Sequence, residues 1–342
     1  MASRRDQPGQ STLFGEGPRR SRRTGENAPP ITPAPVPTSV RRLADELPPG
    51  LRLGTSSWSF PGWQGLVYAE EATASDLAQR GLAAYAAFPL FRTVGIDRTF
   101  YAPLPEAQYR DYAAAVPQDF RFLVKAPSAV TRPTLERAAG PNPRFLSVGF
   151  VTETLIGPAS RGLGNKLGPI LFQFSPMPLR GDRARAEFYD RLAAFLTDLP
   201  RGPLYAVELR NRNLFTAGYA DAIARASAGR GDDKGGVCHA FNVHSGMPPL
   251  EAQAALIPPE SGPALVLRWM LREGADFEAA GRRYAPFNRI VDDDPGNRSA
   301  VASLCARALG AGRPAWVIAN NNAEGSAPLT LLRLAETIAA GG

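Results

Sequence analysis

Lysine is nearly missing from this chain. Among 342 residues only Lys125, Lys166 and Lys234 carry an amine, against 36 arginines. Histidine is as scarce, with His239 and His244 alone, and so is cysteine, with Cys238 and Cys305 far apart. Each shortage excludes something. Two separated cysteines form neither a disulfide framework nor a Cys-x-x-Cys clip, which points to a reducing, cytoplasmic setting. Strand alternation turns His239 outward and His244 inward, so the two do not converge, and no metal site is expected. No apolar run approaches the ~18–20 residues that cross a bilayer. Arg4 and Arg5 have no apolar segment behind them and do not read as an export signal. A P-loop, a glycine-rich dinucleotide fingerprint behind a strand and a Gly-x-Ser-x-Gly elbow are all missing. That argues against the common nucleotide and esterase chemistries, and no cofactor is expected.

Acids are outnumbered, giving a net charge of +7. The excess is not spread evenly. Residues 1–42 hold eight arginines against three acids, a net of +5, which leaves +2 for the remainder. Residues 1–48 include "GPRRSRRTG" and "APPITPAPVP" and show no periodicity. Such a segment cannot bury enough apolar surface to offset its ordering entropy, so it reads as a disordered Arg/Pro-rich tail. It is either a solubilising tail or an arm that seeks nucleic-acid phosphates. Arginine-for-lysine usage with abundant alanine, glycine and proline is a GC-rich bias, so arginine count alone identifies no partner.

What is present is a large core, with 44% apolar residues, in a repeating order. Short apolar runs occur at 51–57, 91–97, 120–126, 169–175, 204–210, 237–243, 264–270 and 314–320. Amphipathic stretches such as "DRARAEFYDRLAAFLTDL" lie between most of them. Eight strands alternating with helices predict an α/β TIM-like (β/α)8 barrel, with an open doubly wound sheet as the alternative. Alternation also sets the facing. In "LYAVELR" the apolar Tyr205, Val207 and Leu209 face the helices, and Glu208 and Arg210 point inward. The same pattern turns Lys125, Gln173, Asp97 and Arg268 inward near the C-terminal ends of their strands, where barrel active sites are built.

The segments "GTSSWSFPGW", "RTFYAPLP", "FRFLVKAPSAVT", "LGPILFQFSP", "YAVELRNRNLF", "MPPLEAQ" and "ANNNAEGSAPLTLLRLAE" occur in that order across roughly residues 50–340. As an ordered set they resemble the YecE-like family (domain of unknown function 72). The resemblance implies a TIM-barrel-like fold and brings no settled activity. The chain departs from the family pattern at Gly95, where an acid is usual. It also departs after Arg268, where "LRWMLREG" replaces an Arg-Leu-His-Gly-like segment.

An inward acid needs a partner, and the candidates for Glu208 are Lys125 and Arg210. A Glu208–Lys125 pair can act as general base and acid if burial tunes both groups; the plainer reading is a structural ion pair. Trp58, in the aromatic stretch after the first strand, is expected to roof the site. Ser56, Asp97, Tyr101, Gln173, Arg210, Arg268, Asn320 and Asn321 are the further binding candidates. "DDDP" at 292–295 reads as a solvated loop. The expected function is metal-independent acid–base chemistry (hydrolase, lyase or isomerase) on a small polar, carbohydrate-like or phosphorylated ligand in the barrel mouth. The alternatives are nucleic-acid binding or processing through the basic tail, and a non-catalytic ligand-binding barrel.

Overall fold

In the computed structural model of the chain, residues 29–134, 140–230, 235–272 and 274–341 are described. Eight parallel strands close into one barrel in sequence order. They are β1 (Leu51–Thr55), β2 (Phe91–Ile96), β3 (Arg121–Lys125), β4 (Leu167–Phe174), β5 (Tyr205–Leu209), β6 (Val237–Val243), β7 (Leu265–Trp269) and β8 (Ala315–Ala319). β1 pairs with β8 from Leu51 opposite Ala315 to Thr55 opposite Ala319, which completes the closure. The expected TIM-like fold is therefore the observed one.

The two faces of each strand separate into two apolar bodies. Leu123, Leu171, Ala206, Cys238, Ala240, Val266, Trp316 and Ile318 fill the barrel interior. Phe122, Val124, Phe172, Val207, Leu267 and Trp269 face the surrounding helices. The helices meet them with apolar stripes at helical spacing, such as Phe188, Leu192, Phe195 and Leu196 on Gly181–Asp198. Cys238 and Cys305 are both free and buried. No helix among the described residues is long and apolar enough to cross a membrane.

The tail is shorter than its composition suggests. Residues 1–28, with the arginines at 4–23, lie outside the described residues. From Ile31 the chain belongs to the barrel unit. Ala34 N donates to Val67 O at 2.9 Å and Ala69 N to Thr32 O at 2.9 Å, a short antiparallel contact. Thr38–Glu46 is a helix that buries Val40 and Ala44, with Leu47 buried just beyond it. The expectation of disorder through residue 48 is corrected here. Proline and arginine hide the pattern, but the apolar Ile31, Ala34, Val40, Ala44 and Leu47 are buried along the segment.

Glycine explains the aromatic stretch after β1. A Cβ on Gly54 would lie 1.9 Å from Thr93 O, and one on Gly62 would lie 1.5 Å from Pro286 O. Both positions let another backbone approach, and Trp58 between them and Trp63 beside Gly62 are buried.

Candidate active site

The C-terminal ends of five strands deliver polar side chains to one place. Lys125 is the last residue of β3, and Gln173, Glu208, Asn242 and Arg268 are next to last in β4, β5, β6 and β7. Gln173 lies in register with Glu208, and Asn242 with Arg268. Asp97 follows β2 directly and Arg210 follows β5. Among these, Lys125, Gln173, Glu208, Arg210, Asn242 and Arg268 are buried. The apolar interior of the barrel lies beneath them.

Charges alternate across this layer. Arg268 spans Asp97 and Glu208: its two terminal nitrogens reach the Asp97 carboxylate at 3.5 and 3.4 Å, and its Nε lies 3.3 Å from Glu208 Oε2. Arg210 Nε donates to Glu208 Oε1 at 2.8 Å. Burial alone would raise the Glu208 carboxyl, but Arg210, Arg268 and Lys125 outweigh it and pull it down to about 2. The sulfur of Met270, two residues beyond Arg268, takes the Arg268 Nε at 3.3 Å.

Lys125 is not the direct partner of Glu208. Its ammonium lies over the Phe100 ring, 4.0 Å from the centroid. Among the described residues it makes no ion pair; the acid contacts go to the two arginines. Burial lowers the Lys125 amine to about 8, with Asp97 and Glu208 opposing the fall and Arg268 and Arg210 adding to it. Several neighbours are equally unspent. Arg210 Nη2, Gln173 Oε1 and Asn242 Oδ1 are buried without a hydrogen-bond partner, while Glu208 Oε2 has only the ion pair with Arg268 Nε.

Not every candidate joins this cluster. Trp58 is expected as the roof but lies in the helix–strand core. Its Nε1 donates to Leu77 O at 3.0 Å, and its ring packs edge-on against Tyr112 at 5.2 Å. The aromatic on the rim is Tyr101, 50% exposed, near the charges of Asp97 and Arg210. Asn321 uses its Oδ1 for structure, accepting from Trp63 Nε1 at 3.2 Å and from Ala327 N at 2.9 Å, while its Nδ2 is buried without a partner. Asn320 Oδ1 accepts from Asn322 N at 2.9 Å, and its Nδ2 reaches Ser56 Oγ at 3.5 Å. Ser56 itself lies 3.4 Å from Ala319 O and 3.9 Å from Met270 Sδ, at the edge of the cluster.

His239 faces the helices as alternation requires, held by Tyr219 at 3.0 Å and Gln253 at 3.2 Å. His244, beyond the end of β6, registers the charges of Arg210 and Glu208, and burial lowers it to about 4. The "DDDP" acids are structural and not merely solvated. Asp294 accepts from Asn297 N and caps Pro295–Gly310, while Asp293 pairs with Arg298 and Arg333. No group of three or more His, Cys, Asp or Glu among the described residues is arranged to hold a metal ion.

Phe100 and Asn242 are the members that sequence reasoning missed. Asn242 was within reach, because the alternation that turns His239 outward turns Asn242 inward. Phe100 follows a strand end in a 3-10 turn (Asp97–Phe100), which no periodicity reveals.

Residues 52–341 match the family model described as protein of unknown function DUF72. A DUF72 family protein from Enterococcus faecalis V583 is similar in structure, with a TM-score of 0.56 and 19% identity over 84% of this chain and 95% of that one. Another, from Thermotoga maritima MSB8, has a TM-score of 0.56 and 18% identity over 84% and 98%. At such identity these likenesses concern the fold alone. No curated protein matches the chain.

Proposed function

The chain belongs to the DUF72 family, a family without an assigned activity, and we propose that this member is a cytoplasmic enzyme that moves protons on a small polar molecule at the C-terminal barrel mouth. The observation that carries the reading is Lys125: buried, free of ion pairs among the described residues, and lowered to about 8 by burial. A general acid–base group works best when it titrates near the operating pH, and Lys125 does. Glu208 does not. Two arginines hold it ionised down to about pH 2, so its part is to fix Arg210 and Arg268 and to set the field at Lys125. Gln173 and Arg210, each with a buried atom lacking a partner, are the groups a ligand would satisfy. Tyr101 lines the entrance, and Ser56, Asp97 and Asn320 border it.

Pairs of titratable groups driven apart by their surroundings commonly mark acid–base sites. A nucleic-acid role would rest on arginines 4–23, which lie outside the described residues. The test is to identify the ligand retained after mild purification by native mass spectrometry and to assay its turnover. Lys125→Met should abolish turnover, and the wild-type kcat/KM should carry a limb near pH 8. Turnover by Lys125→Met at the wild-type rate would refute the reading. A retained ligand that no form of the protein converts would make this a binding barrel.

A further inference from the structure

The charges in the barrel mouth do not cancel. Asp97, Arg268, Glu208 and Arg210 form an alternating chain of two acids and two guanidiniums. Lys125 adds a fifth charge, a cation with no acid of its own. Its seat is an aromatic ring, which attracts a cation without neutralising it. The second unspent group is Arg210. Its Nε is taken by Glu208 while Nη2 is buried without a partner. Leaving such a donor unmade is costly, and a surplus buried cation is costlier still. Both are open to completion by a ligand or by ordered water.

We propose that the mouth binds an oxyanion group, phosphate or carboxylate, between the Lys125 ammonium and the free edge of Arg210. The proposal rests on the catalytic reading only in taking the mouth as the ligand site. The anion would supply the missing negative charge and accept charge-assisted hydrogen bonds from two buried cations, the strongest kind available. It would sit over β3, β4 and β5, whereas barrels that hold phosphate commonly do so beyond strands 7 and 8. Binding would also favour the charged form of Lys125 over the neutral one, against the burial that opposes it. Asp97, Glu208, Arg210 and Arg268 are the charged groups facing that amine. Proton uptake that the wild type shows and Lys125→Met lacks reports Lys125.

A rival anion locus exists at the other end of the barrel. Arg52, Arg121 and Arg201 line an open cleft of about 660 Å³ around the N-terminal ends of the strands. Arg52 donates there to Asp119 O and Arg121 to Gln118 O, both backbone carbonyls.

The experiment is calorimetric titration of the full chain with inorganic phosphate and, separately, acetate. It is run at pH 8 in two buffers of different ionisation enthalpy. At least one anion should bind, with net proton uptake. Lys125→Met should weaken binding by at least about tenfold, the change expected from one charge-assisted contact. Arg52→Gln should leave it unchanged. Phosphate binding with acetate silent would assign a phosphoryl group, and the reverse a carboxylate. The inference fails if neither anion binds at about 10 mM, ten times a ~1 mM dissociation constant. It fails equally if Arg52→Gln abolishes binding while Lys125→Met does not. Anion binding without turnover of any ligand would leave it standing and remove the catalytic reading. Conversion of an uncharged ligand through Lys125 would do the opposite.

Discussion

Glu208 and Arg268 meet inside the barrel with neither side chain reaching solvent, Oε2 lying 3.3 Å from Nε. A buried pair of this kind contributes little compared with an apolar pair of the same volume, but breaking it from one side is expensive. Glu208→Gln would leave Arg268 and Arg210 facing each other without the charge that separates them. The expected loss is about 3–5 kcal/mol at pH 7, read by urea denaturation. A loss below about 1 kcal/mol, the scale of a solvent-exposed pair, would mean that solvent screens this layer.

Lys125→Met should act in the opposite direction. The wild-type chain carries a buried ammonium whose charged form is disfavoured on balance, the amine falling from 10.5 to about 8. At about 1.4 kcal/mol per unit, the variant should be more stable at pH 7 by roughly 1–3 kcal/mol. Between pH 8 and 10.5 the unfolded chain holds this proton and the folded one does not, so wild-type stability rises there. The advantage of the variant should fade over that window. Thermal melts across pH 7–10 give the comparison, and a variant less stable at every pH would contradict it.

Acid should unfold the protein in two windows. His239, between Tyr219 and Gln253, is lowered by burial from 6.5 to about 4. The unfolded chain binds that proton first, so stability drops as pH falls from 6.5 towards 4 and this contribution then levels off. Glu208 follows, its contribution present above 4.5 and lost as pH falls through about 2. His244 is lowered by burial over the same range, so His239→Gln should reduce the slope of the first window by roughly half and leave the second. Unchanged slopes in the variant would show that His239 is protonated within the fold.

Removing residues 31–47 should cost on the order of 5 kcal/mol, because Ile31, Val40 and Leu47 bury apolar side chains worth about 1.5–3 kcal/mol each. Differential scanning calorimetry checks this. An unchanged melting temperature would mean that the segment does not dock in solution.

Alternation made the strands and their facing legible. Tyr205, Val207 and Leu209 have only one place to go in a barrel, and that commits Glu208 to the interior. The same logic placed Lys125, Gln173 and Arg268. Partnership was not legible, because it depends on reach across the barrel. Arg268 is long enough to bridge Asp97 and Glu208, and Lys125 lies instead over Phe100. Trp58 was misjudged for a related reason. Position after a strand suggests the rim, but Gly54 and Gly62 draw neighbouring backbones close and fold the ring into the helix layer, against Tyr112. The tail boundary was hidden by composition, since prolines and arginines surround the few apolar residues that dock it.

The scarcity of lysine allows the central claim to be measured directly. With only three lysines in the chain, a sample labelled with carbon-13 at Cε gives three side-chain signals, and Lys125→Met identifies one of them by its loss. The account predicts that the Lys125 signal titrates near pH 8 and moves upward when an oxyanion is added. Titration of that signal near 10.5, the ordinary value for lysine, would contradict it, because Lys125 would then be neither desolvated nor poised to exchange a proton.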